Sequence, residues 1–380
     1  MHRRQALALG GGLLLPGLAT LPAGPARAAT PGTWRQQAQR PLMGTTVRLV
    51  AETADAGRAA ALPEALDHAF ARMAALAALM THYEPTSGTG AIALAAGLQP
   101  VPVAAPLMTV LQQAQALSAR SDGAFDVTIG ATGLWRFDDP AAPPHPAPEQ
   151  VARGLPLVGW RQLRLDARAG TAWLPRRGMR LDLGGIAKLP ILAAGLQALR
   201  EAGVPRALVD GGGDVLAFSP PDTATAPAGR RRLPASPTWP AWRVGVRDPA
   251  RPDALIGVLA LHNGVMASSG DYERCSTDTL GRRWHHVLDP RTGRPATAAH
   301  GVTLLARAPG EGGPAALDDA VARVNGLGAA LMVLDEARGR ALLAGLPPAG
   351  HRRADVQALV TRQDGSRWGA LDGWVRAGAA

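Results

Sequence analysis

Two glycine runs, LDLGGIAK (Leu181 to Lys188) and GGGD (Gly211 to Asp214), constrain the fold most, because each demands a tight backbone turn at a set distance from the other. Between them, Ile191 to Val204 repeats apolar residues at helical spacing, and RALVDGG (Arg206 to Gly212) reads as a short strand running into a turn. The local order is strand, glycine turn, helix, strand, glycine turn. Glycine lets backbone N–H groups approach an anion, and a helix that starts just after such a loop adds its positive end to the same spot. Lys188 closes the first run and is the single lysine among forty Lys and Arg side chains, with Asp182 at the other side of the turn. This pattern points to a phosphate-bearing ligand. The plain alternative is a pair of tight turns in a chain with 45 glycines, since neither run has the spacing of a Walker loop or a dinucleotide fingerprint.

The chain opens with paired Arg3 and Arg4, an apolar run to about Leu21 and Ala26-Arg27-Ala28, the pattern of a twin-arginine export signal over residues 1–29 rather than a membrane span. The expected location is the periplasm. A linker is expected over 30–40, one large domain over 41–345 and a C-terminal extension of it over 346–380. Cys275 is the only cysteine, so no internal disulfide can form and stability rests on the core. An apolar fraction of 47% supports such a core, and no later run is long enough to span a bilayer. Net charge is +10, but the basic residues are scattered and aromatics are only 4%, which argues against a nucleic-acid groove.

A strand is expected over PLMGTTVRLVAE from Pro41, and helices over Pro63 to Thr81, Pro106 to Arg120 and Ala316 to about Leu334. Further strands are expected around Leu163, Leu174, Trp242 to Val246, Ile256 to Leu261 and Val302 to Ala306. Proline-rich insertions occupy 138–148 and 219–240, the second bearing Arg230, Arg231 and Arg232. Helices and strands do not alternate regularly, so the expected class is α+β: mixed or antiparallel sheets with packed helices, one large domain of two intertwined halves.

Four polar islands add chemistry. In GAFDVTIGATGLW (Gly123 to Trp135), Asp126 and Thr128 would share one strand face, or Asp126 would merely bond backbone groups. ASSGDYER (Ala267 to Arg274) is a small-residue turn ending in charges. WHHVLDPRTGRP (Trp284 to Pro295) sets two histidines before a DPRTG turn, and LDDAVAR (Leu317 to Arg323) puts Asp318 and Asp319 at a helix start, where caps are common.

Taken in order, PLMGTT, ALMTHYEPTS, GAFDVTIGATGLW, LDLGGIAK, LVDGGGD, ASSGDY, HHVLDPRTGRP and DDAVAR resemble the ApbE family of flavin transferases, FAD:protein FMN transferases, over roughly Pro41 to Leu343. The resemblance implies an ApbE-like fold and a reaction in which the FAD pyrophosphate is cut. FMN is joined through a phosphoester to a threonine or serine of an exported or membrane-attached redox protein, and AMP is released. It also implies FAD contacts at Met43, Tyr83, Ala124, Phe125, Asp126, Asp182, Lys188 and Val287. Mg²⁺ would be held by the Gly185 carbonyl and Asp319, and His286, with Asp319, would be catalytic. Three departures stand out. Arg323 replaces a family threonine ligand four residues after Asp319; Leu189, Pro190 and Ala193 replace the usual glycine, tyrosine and aspartate; Ala93 replaces an asparagine. Arg323 either puts a guanidinium where the metal would sit, or points away and leaves a weaker site. The alternative functions are an FAD-binding accessory protein with impaired catalysis and an FAD pyrophosphatase.

Overall fold

The computed structural model describes residues 32–133, 146–220, 239–277, 283–308, 313–347 and 355–376. The export signal, the Arg230 to Arg232 run and most of both proline-rich insertions lie outside them.

An eight-stranded antiparallel sheet organises the chain. Its strands, with those of a smaller sheet, are β1 (Trp34–Leu42), β2 (Thr45–Thr53), β3 (Arg206–Gly211), β4 (Asp214–Phe218), β5 (Trp242–Asp248), β6 (Arg251–Leu261), β7 (Gly264–Gly270), β8 (Gly301–Arg307), β9 (Asp355–Thr361), β10 (Arg367–Gly369) and β11 (Trp374–Arg376). The large sheet runs β1-β2-β3-β4-β7-β8-β9-β10, and the small one β11-β6-β5. Both halves of the chain contribute neighbouring strands to one sheet. The helices are α1 (Leu62–Met80), α2 (Gly88–Leu94), α3 (Ala105–Arg120), α4 (Pro148–Gly154), α5 (Lys188–Glu201), α6 (Pro314–Val324), α7 (Leu327–Val333) and α8 (Glu336–Ala344).

Period-two alternation makes this a layered structure. Val47, Leu49 and Ala51 of β2, Leu216 and Phe218 of β4, and Val302 and Leu304 of β8 enter the main core with the apolar faces of α1, α3 and α5. The intervening Val50, Val215 and Leu305 point to the other face, where Trp242, Val244 and Leu259 of the small sheet cover them. With both faces covered, the central strands of the large sheet read as nearly continuous apolar runs. A buried ion pair clamps the layers: Arg206, hydrogen-bonded to Glu52, also donates to Pro240 O at 2.6 Å and lies 3.6 Å from the Trp242 ring centroid.

The expected α1, α3 and α5 form within two or three residues of their expected bounds. Four expectations need correction. The strand from Pro41 is a hairpin whose first arm starts at Trp34, inside the expected linker; its alternation is polar because β1 is an exposed edge. The segment after Asp126 is a 3₁₀ helix, Val127–Thr132, not a strand. The helix expected from Ala316 to Leu334 is broken at Asn325 into α6 and α7, because Gly326 takes a left-handed φ of 77°. Finally, Ala267 to Gly270 ends β7, with the turn only beginning at Asp271.

Candidate functional site

The two short hairpin turns of the large sheet lie side by side at one end. Met43-Gly44 joins β1 to β2 with φ of 55° and 66°, and Gly212-Gly213 joins β3 to β4 with φ of 68° and 91°, the two-residue geometry that twisted strands favour. A side chain at 212 would run into the Thr45 hydroxyl, 2.6 Å from its Cβ. GGGD is thus a hairpin turn, and its functional group is the aspartate that follows. Asp214 is buried, accepts from Ser268 N at 2.9 Å and meets Lys188 Nζ at 3.0 Å. Lys188 is the first residue of α5, so its ammonium and the helix's N-terminal N–H groups share one corner. Pro190 sits in that first turn, where a missing N–H breaks no helical bond but leaves one donor fewer for an anion.

Around this corner stand three further groups. Arg274 donates to Met43 O at 2.6 Å and is exposed. Asp182 accepts from Gly184 N at 2.7 Å and lies 3.3 Å from His82 Nδ1. Tyr83, 45% exposed, stands with its ring centroid 4.1 Å from that of His82 and the two planes tilted by 38°. His285 ends the short strand Arg283–His285, and His286 follows it in a bend. His285 is buried, with Nε2 2.9 Å from Ala296 O and Nδ1 accepting from Val287 N at 3.3 Å, so it is a structural histidine. His286 faces outward. Although part of it is open to solvent, dense surrounding protein and the positive charges of Arg274 and Lys188 hold its pKa down from 6.5 to about 3, opposed by Asp182.

The predicted residues fall into three groups. Met43, Asp182, Lys188 and His286 converge on this corner, with Tyr83 joined through His82 and Val287 buried beneath. Ala124, Phe125 and Asp126 are buried behind the Asp182 loop, where Asp182 N donates to Val127 O at 2.7 Å. Asp126 has both oxygens occupied: Oδ1 accepts from Thr128 N at 2.8 Å and Thr128 Oγ1 at 2.6 Å, and Oδ2 accepts from Trp160 N at 2.8 Å. Its carboxylate staples the 3₁₀ helix to the Trp160 loop. Burial raises its pKa and these hydrogen bonds oppose the rise.

Asp319 and Arg323 form the third group, on α6. Asp318, one residue before Asp319, feels the charge of Arg200 at the C-terminal end of α5, the end remote from Gly185. Arg323 Nη2 donates to Pro347 O at 2.6 Å, and its charge depresses the pKa of Arg120 after burial does. The guanidinium is therefore held by the Pro347 carbonyl, beside a second cation. What packs on Gly185 is the Phe125 ring and the Ala329 methyl, 3.1 and 3.5 Å from where its Cβ would stand. Neither is a metal ligand. Among the described residues no group of three or more His, Cys, Asp or Glu is placed to share a cation, and the side chains packed on Gly185 add no oxygen to the cage that Mg²⁺ requires.

Sequence reasoning missed His82, Asp214, Ser268, Tyr272 and Arg274. The signal for Asp214 was the carboxylate ending the GGGD run, and that for Arg274 was the charged end of ASSGDYER. Tyr272 is held neutral, its pKa pushed up to about 12 by burial and by Glu273, with Arg247 opposing. The His286 environment gives a direct test: its ring resonances should show a neutral imidazole from pH 8 down to about 4.5 in the free protein. A titration midpoint near 6.5 would contradict the cationic surroundings described.

A family model, ApbE family, matches residues 43–350. An FAD:protein FMN transferase of Klebsiella pneumoniae is 34% identical over 53% of this chain and 57% of its own length. One of Treponema pallidum is 32% identical over 65% of this chain and 68% of its own. The chain thus spans a little over half of the first relative and about two thirds of the second. The ApbE protein of Thermotoga maritima superposes with a TM-score of 0.70 at 25% identity, covering 88% of this chain and 97% of that structure. The flavin transferase ApbE of Vibrio cholerae has a TM-score of 0.65 at 23% identity over 89% and 97%, a likeness of fold.

Proposed function

The chain belongs to the ApbE family, and from that premise we propose that it moves FMN from FAD to a hydroxyl side chain of a partner protein, releasing AMP. The observation that carries the reading is the corner where Lys188 on Asp214, the N-terminal turn of α5, Arg274 and His286 come together. A pyrophosphate brings concentrated negative charge, and two protein cations with a helix N-terminus are what such a group needs. The exposed ring of Tyr83 suits a flavin or adenine plane.

In this reading the acceptor hydroxyl gives its proton to the neutral His286 as its oxygen forms the new bond to the FMN phosphorus. The bond from that phosphorus to the bridging oxygen breaks, and AMP leaves with the electron pair. A base with pKa near 3 is weak, but the diphosphate's charge beside Lys188 and Arg274 would offset the cations that depress it. Lys188 and the α5 N–H groups then face the charge that accumulates on the leaving phosphate.

Export to the periplasm is part of the proposal, supported by Arg3, Arg4 and the apolar run that follows. Among the described residues no helix is long and apolar enough to cross a membrane. The acceptor we propose is an exported or membrane-attached redox protein. The apolar packing on Gly185 favours one competing reading, an FAD-binding accessory protein without turnover. A single assay separates the two: FAD with a threonine-bearing acceptor should yield AMP together with an acceptor that fluoresces in a denaturing gel. FAD retained without AMP would support the accessory role, and AMP with free FMN would indicate a pyrophosphatase.

A further inference from the structure

The Gly185 surroundings and the charge arrangement at the sheet corner, taken together, reach beyond the transfer reaction. The loop from Leu183 to Ile186 is packed against the start of α7, where Gly326 and Ala329 face it. A Cβ on Gly326 would lie 3.4 Å from Ile186, and the Ala329 methyl takes the space beside Gly185. Their side chains carry no oxygen that could ligate a cation. Of the carboxylates at the corner, Asp214 has both oxygens engaged, by Ser268 N and Lys188, while Asp182 holds Gly184 N and His82 on Oδ1 alone. A divalent cation of the Mg²⁺ type usually keeps one or two carboxylates besides its waters. The cations that remain for an incoming diphosphate belong to the protein: Lys188, which is shared with Asp214, and the exposed Arg274, which so far donates to a backbone carbonyl.

We infer that this chain binds the FAD diphosphate with Lys188 and Arg274 in place of a divalent cation at Gly185. The inference rests on the flavin reading above, and its test separates the two.

FAD binding to the full-length chain is titrated by flavin fluorescence in excess EDTA and again in millimolar Mg²⁺. The dissociation constants should agree within about twofold, whereas Arg274→Gln, a change at an exposed position, should weaken binding about tenfold or more in both buffers. In parallel, Mn²⁺ is titrated by electron paramagnetic resonance. The parent protein should show no stoichiometric site, and Ala329→Asp, which puts a carboxylate beside Gly185, should create one. Binding that tightens about tenfold with Mg²⁺, or one tight Mn²⁺ per parent chain, overturns the inference and leaves the flavin reading standing. Absence of FAD binding in both buffers overturns the flavin reading, and the inference with it.

Discussion

A His286→Ala protein should release AMP from FAD, in the presence of acceptor, at least about 10²-fold more slowly than the parent, with FAD affinity little changed. The neighbouring His285, tied to Ala296 O and Val287 N, is untouched by the change, so the hydrogen bonds that it makes stay in place. FAD affinity is expected to persist because the groups assigned to the diphosphate, Lys188 and Arg274, are untouched. Removing a ring whose pKa sits near 3 also lifts no positive charge from the corner at neutral pH. The decisive measurement is single-turnover AMP formation at saturating FAD with fluorescence titration alongside. Equal rates in parent and variant would remove the histidine from the chemistry, and a large loss of affinity with an unchanged rate would make it a binding residue.

Truncating Arg206 to alanine should destabilise the fold by about 3–5 kcal/mol, a large part of the ~5–15 kcal/mol by which domains are stable. Arg206 is buried, pairs with the buried Glu52, reaches Ser219 Oγ at 3.2 Å and Pro240 O, and lies over Trp242. Alanine leaves the Glu52 carboxylate in the interior with only Arg35 at 3.4 Å, on an exposed side chain, to answer it. It also strips a cation from the Trp242 ring, loosening the small sheet against the large one. Urea unfolding followed by tryptophan fluorescence would measure the change. The double variant Glu52→Gln with Arg206→Met should recover much of the loss, because it removes the unpaired charge; a single variant as stable as the parent would show that the pair contributes little.

Local chemistry was legible where the chain is strongly periodic or carries turn residues. The apolar stripes of α1, α3 and α5 and the strand at Arg206 follow directly from it, and so do Asp182 and Lys188 at the two sides of one glycine turn; Met43 entered through the family resemblance alone. What escaped depends on contacts between distant segments. GGGD reads as a phosphate loop in isolation, but the partner that turns it into a hairpin is Asp214 facing Gly211 across two residues. β1 has the polar alternation of a linker because only its pairing with β2 makes it a strand. The break at Gly326 is the costliest omission. Reading Ala316 to Leu334 as one helix hid the left-handed residue at 326, which redirects the chain so that Ala329 meets Gly185. Asp126 shows the same limit in miniature: its dense hydrogen bonding to Trp160 N links residues 34 apart, a relation no local pattern displays.

The pairing of β2 with β3 joins Val47 to Gly211 and Glu52 to Arg206, segments far apart along the chain. Bringing such distant segments together is slow, since the loop between them must be closed before any contact rewards it. Both hairpin ends of the ligand corner hang on that one seam. Competence to hold a dinucleotide should therefore arrive late in refolding, well after helix α1 has formed, and flavin capture becomes a clock for completion of the sheet.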